Sequence, residues 1–170
     1  MIMNTRILGV AATIAMLGTV SAAHAATGNT STAAGTASAT IVAPIVLTHT
    51  AGASLNFGKF TTGTGGTVIV SSAGVGSVTG DVGFVPGSTN SADAFTVAGD
   101  ASRSFSIATT GGNVVNGAAT MAFTTTASAA TGTTTAAGTA GFSVGGTLTV
   151  ASTSIAGSYI GSYTATVTYN

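Results

Sequence analysis

The final stretch of the chain, residues 159–169, alternates with a period of two. Tyr159, Gly161, Tyr163, Ala165, Val167 and Tyr169 fall on one side, and Ile160, Ser162, Thr164, Thr166 and Thr168 on the other. Such strict alternation excludes a helix and predicts one β-strand with a buried face and a wet face. With the second face inward, only Ile160 would contribute substantial apolar area. The tyrosines therefore read as core with their hydroxyls at the rim, rather than as an exposed sugar-binding stripe. A strand this regular must pair, either within its own chain or with another copy.

The rest of the sequence fits the same class. Apart from residues 1–25, β-branched residues and glycine dominate, and Gly-rich breaks separate short apolar runs. The expected fold is all-β, an immunoglobulin-like β-sandwich of about seven to nine antiparallel strands. Strand material is expected at residues 39–48, interrupted by Pro44, and then at 67–71, 81–85, 120–124, 142–150 and 159–169. Residues 94–98 and 103–108 read as a hairpin about Gly99 and Asp100, with Phe95 and Val97 sharing a buried face with Phe105 and Ile107. Gly145-Gly146 reads as a hairpin turn, and residues 127–139 as a loop. Large apolar side chains are few, so the core is expected to be thin.

The N-terminus carries one positive side chain, Arg6, then an apolar run over residues 7–20, then Ala23-His24-Ala25 before Ala26. That is the pattern of a secretory signal peptide over residues 1–25, with a run too short to span a bilayer. Residues 26–37 are small and polar and are expected to form a flexible arm, and 38–170 the sandwich domain. No later segment is apolar enough to be a transmembrane helix. The expected localisation is export to the periplasm, the cell surface or the medium.

Composition narrows the function classes. The 170 residues contain no Cys, three basic and three acidic side chains, and no net charge. Beyond the leader only Lys59 and Arg103 oppose Asp81, Asp93 and Asp100, which gives no electrostatic footprint for nucleic acid. Weak charge also leaves little repulsion between copies. Acid–base chemistry would have to rest on His49, the Asp and Tyr residues and single basic groups, so an enzyme is not expected, and no cofactor is implied. His49 reads as a solvated residue at a strand end. Asp93 and Asp100 read as turn residues, with one surface calcium site near them left open. Arg103 could pair with either in a weak surface bridge.

Three patches taken in order carry a resemblance. They are Ala43-Pro44-Ile45 with Leu55-Asn56-Phe57-Gly58, then Phe95-Thr96-Val97-Ala98-Gly99, then residues 142–150 with the Tyr-rich block from Gly157 to Tyr169. Together they resemble the secreted bacterial domains called domain of unknown function 4402, which are regarded as pilin-like. The C-terminus is also similar to chaperone–usher pilus subunits, which end in an alternating strand with a penultimate aromatic and a glycine fourteen positions from the end. Tyr169 and Gly157 occupy those positions.

The resemblance implies a surface structural protein, a fimbria-like subunit in adhesion or biofilm, that self-associates or meets a periplasmic chaperone by strand addition. Its assembly motif would be Gly157, Tyr159, Tyr163, Val167 and Tyr169. Its donor segment would be Ser38, Ala39, Thr40, Ile41 and Val42. Many such pilins carry a disulfide, which this chain lacks. The alternative is a monomeric surface module with a self-complete sandwich that binds a glycan or protein ligand.

Overall fold

Period-two patterning and scarce helix formers are expressed as sheets. In a computed structural model that describes residues 28–170, no helix occurs among the described residues. The expected leader, residues 1–25, lies outside them. The described chain divides into a unit ending at Ala39 and a second unit, Thr40–Asn170. In the first, residues 30–39 are exposed and carry no strand.

The second unit contains 13 strands. They are β1 (Val46–His49), β2 (Phe60–Thr61), β3 (Gly65–Val70), β4 (Gly76–Gly80), β5 (Gly83–Phe84), β6 (Asp93–Ala98), β7 (Ser104–Thr110), β8 (Gly112–Asn116), β9 (Ala119–Ala127), β10 (Thr131–Thr133), β11 (Thr139–Ala151), β12 (Ile160–Gly161) and β13 (Thr164–Tyr169). All pairings are antiparallel. The fold is all-β and sandwich-like. Its strands outnumber the seven to nine expected, because several pair over only two or three residues.

An eight-stranded sheet runs β1-β6-β11-β9-β8-β12, with the β3–β4 hairpin attached to β11. Strand β11 is the centre. Its first half pairs with β6, its second half with β3, and its opposite edge with β9. Gly145 and Gly146 lie in the middle of this strand, where one partner replaces the other. They are not a turn. A Cβ on Gly145 would strike the Val70 carbonyl oxygen and stand 2.6 Å from the Ser71 carbonyl carbon, so only glycine admits the end of β3 so close.

A second sheet, β10-β7-β13, packs over one part of the first. Val97, Phe105, Ile107, Phe142 and Val144 fill the space between them. The other part of the large sheet carries Val68, Val70, Met121, Phe123, Leu148 and Val150 and is covered by Phe57, Val82 and their neighbours, with β2–β5 as a two-stranded flap.

Several expected elements change. Residues 39–45 carry no strand, and the expected loop over 127–139 contains β10. Residues 94–98 and 103–108 do not form a hairpin, since β6 belongs to the large sheet and β7 to the small one. Phe95, Val97, Phe105 and Ile107 do share a core, but across the sandwich. Residues 159–169 are not one strand either. Strand β12 pairs with β8 in the large sheet, and β13 with β7 in the small one. The chain changes sheets at Ser162 while Tyr159, Tyr163, Ala165, Val167 and Tyr169 stay inward.

Candidate functional site

Strand β1 places Leu47 opposite Val97 and His49 opposite Phe95. Two residues further along the inward face of β6 comes Asp93, which is 5 % exposed. Its Oδ1 lies 2.7 Å from His49 Nε2, and its Oδ2 accepts the Tyr163 hydroxyl at 2.7 Å. The Ala94 amide also donates to Oδ1, at 2.8 Å. A buried carboxylate is costly unless its lone pairs are filled, and here three donors fill them.

Burial, then the hydrogen bond to Asp93 and its negative charge, push the Tyr163 phenol far above its ordinary range. Tyr163 therefore remains a donor. Because the folded form holds this proton more tightly than the unfolded chain, stability is fully present below a pH of about 10, the ordinary tyrosine value, and falls as pH rises above it. Replacing Tyr163 by phenylalanine should flatten that alkaline decline in a pH series of denaturation midpoints. An unchanged slope would show that Tyr163 is not its source.

This network corrects the reading of Asp93 as a surface turn residue or calcium ligand. His49 is half-exposed, but its ring is tied to that carboxylate and meets Phe95 edge-on at 5.2 Å. Among the described residues no group of three or more His, Cys, Asp or Glu side chains could hold a metal.

The network stands at one end of an open cleft of about 1260 Å³. Its floor is Phe123, Met121 and Leu148, and its walls are residues 53–62 and 154–163. Tyr163 packs edge-on against both Phe95 and Phe123, at 6.2 and 6.4 Å. Lys59 and Asn56 line the cleft together with the serine and threonine hydroxyls of the two walls. Leu55, Phe57 and Phe60 came from the first resembling patch and its continuation, yet nothing in their spacing signals a cavity.

The expected assembly residues separate into two places. Gly157 lies exposed in the connection between β11 and β12, and Tyr159 closes that connection against the larger core. Val167 and Tyr169 lie on the inward face of β13 against the other core, and Tyr163 touches both. Of the proposed donor residues, Ser38, Ala39, Thr40, Ile41 and Val42 are all exposed and without strand structure.

The penultimate tyrosine has an internal task. Its hydroxyl accepts the Asp100 amide at 2.6 Å and donates to the Ala43 carbonyl at 3.2 Å. A side chain at Gly99 would collide with that hydroxyl. The Arg103 guanidinium lies 5.3 Å from the ring centroid and makes a half-exposed bridge to Asp100 at 3.9 Å. The latch thus joins the segment before β1, the β6–β7 connection and the last strand. Tyr169→Phe should cost about 2 kcal/mol, since it leaves the Asp100 amide without its acceptor. Equal urea midpoints for the two proteins would show that the latch contributes nothing.

These features define a class: an all-β, sandwich-like domain with an apolar cleft, unpaired sheet edges and no clustered metal ligands among its described residues. Residues 47–169 match the family model described as "Domain of unknown function (DUF4402)", and the chain belongs to that family. No curated protein and no solved structure matches it.

Proposed function

We propose that this is a non-enzymatic structural protein, exported by its N-terminal leader to the bacterial surface, where copies join as a pilin-like subunit by exchanging the arm before β1. The supporting observation is an unpartnered arm that ends in the exposed Ile41 and Val42, together with unpaired strand edges in the same chain. Ile41 is 97 % exposed, and residues 40–42 take no strand partner. Strand β13 pairs on one side only, and β1 closes one end of the large sheet. Exposed edges of this kind accept an added strand. Weak charge favours self-association, with adhesion or biofilm as the biological setting.

The mature protein should run as an SDS-resistant ladder when unheated, and the ladder should collapse on deleting residues 26–42. A monomer both with and without that arm would sink the assembly reading.

The cleft favours a second reading, a monomeric surface module. Its aromatic walls and hydroxyl-lined rim suit a glycan, whose rings stack on aromatic faces while its hydroxyls take the polar groups. Retention of the monomer on immobilised glycans would select this reading.

A further inference from the structure

We infer that the acceptor for the arm is the cleft between residues 53–62 and 154–163, and that its occupant is the Ile41 segment of a second copy. This rests on the assembly reading above and specifies its acceptor.

The edge of β13 is the obvious competitor, but its inward face is already covered. Tyr163, Ala165, Val167 and Tyr169 pack in one cluster with Ile45 and Leu47 of the same chain. Tyr169 pins the backbone at Ala43, so residues 43–49 already close that side of the sandwich. An entering strand would find hydrogen-bonding groups there but no vacant apolar floor.

The cleft offers open backbone and exposed apolar side chains along one wall. At about 1260 Å³ it exceeds the roughly 300–1,000 Å³ common for small-ligand sites and has room for an extended peptide. The two walls differ. Along residues 53–60 the backbone is largely engaged, with Asn56 paired to Ser91 and Lys59 bonded to Val85 and Ser88. Along residues 155–159 no strand pairing or backbone–backbone hydrogen bond occurs. That wall bends at Ala156 and Gly157 and engages the Ile155 carbonyl with the Tyr159 hydroxyl at 2.9 Å, which leaves its remaining backbone groups open to an incoming segment. Two large apolar side chains, Ile155 and Ile160, stand exposed on it.

The same chain supplies the complement. In an extended arm Ile41 projects on one side with Ala39 two residues before it, which gives one large knob beside a small residue, just ahead of the anchored Ala43. The arm enters through β1, at one end of the large sheet, while residues 155–159 lead into β12 at its other end. Donor and acceptor are different surfaces of the chain, so the contact is head-to-tail and builds an open fibre unless its rotation closes a ring.

The absence of cysteine makes the test direct. Mature chains bearing Ile41→Cys are mixed with size-tagged chains bearing Ile155→Cys, and in parallel with tagged chains bearing Thr166→Cys on β13. All three positions are exposed, so each variant should melt with the parent. The expected result is that the mixed disulfide with Ile155→Cys dominates over both the mixed disulfide with Thr166→Cys and the Ile41→Cys homodimer. Cross-linking to Thr166→Cys alone would overturn the cleft as acceptor and leave strand exchange standing. Equal weak cross-linking to both, with arm-independent monomers in solution, would overturn strand exchange itself.

Discussion

Gly145→Val is expected to leave the domain unfolded, whereas Gly141→Val, four residues earlier in the same strand, should fold and melt close to the parent. Both substitutions put a β-branched residue into β11, where intrinsic preference favours it. Their surroundings differ. At Gly141 a Cβ would meet only the Phe95 carbonyl oxygen, at 3.4 Å, and the position is exposed. At Gly145 it would meet the backbone of Val70, Ser71 and Ser72, the last at 2.7 Å. Backbone cannot rotate aside as a side chain can. To admit the valine, β3 must leave β11, and with it go the buried contacts of Val68 and Val70. Overpacking commonly costs about 1–3 kcal/mol, and loss of a strand costs more, against a total stability of about 5–15 kcal/mol. Circular dichroism and urea denaturation of the two variants measure the contrast. Similar midpoints for both would show that β3 does not need its close approach.

Asp93→Ala should lower stability by about 3 kcal/mol, which for a domain of this size is on the order of 10 °C in Tm. The change removes the shared acceptor of His49 and Tyr163 and strands the Tyr163 hydroxyl beside Phe95 and Phe123. It also unties β1 from the point where the chain changes sheets. Asp93→Asn keeps the shape and one acceptor oxygen, so it should fall between the parent and Asp93→Ala. Tyr163→Phe alone should cost less, because it removes one donor and leaves the carboxylate two others. In the double variant the losses should not add, and a coupling of about 1 kcal/mol or more is expected. Additive losses, or an Asp93→Ala protein that melts with the parent, would mean that the carboxylate does not couple the sheets.

The sequence made the class of fold legible because inward parity survives errors of pairing. Phe95, Val97, Phe105 and Ile107 belong to one core whether their strands are hydrogen-bonded neighbours or face each other across a sandwich. For the same reason the last block kept its buried tyrosines although β12 and β13 join different sheets. Pairing depends on partners far away in sequence, which parity does not encode. Strands β4, β8 and β10 are short, small or polar, and only their neighbours make them strands. A glycine pair such as Gly145-Gly146 usually punctuates a turn. Its actual cause here, the approach of β3, is tertiary.

The network of His49, Asp93 and Tyr163 was closer to legible. His49 continues the parity of Ile45 and Leu47, and Asp93 that of Phe95 and Val97. Extending each inward face by two residues puts an acid and a base on the buried side. The cleft has no such signal, because its walls come from two loops about a hundred residues apart in sequence.

The late position of β11 sets the order of folding. The hairpins β3–β4 and β8–β9 can form as soon as they emerge from the ribosome. Strands β3 and β6 must wait for residues 139–151 before they share a sheet, and the small sheet waits for Tyr169. Such non-local pairing folds slowly, over about milliseconds to seconds, and cannot finish on a partial chain. A nascent chain therefore stays loose until residues 164–169 have been made. Truncation before Thr164 should trap it there, open and prone to proteolysis.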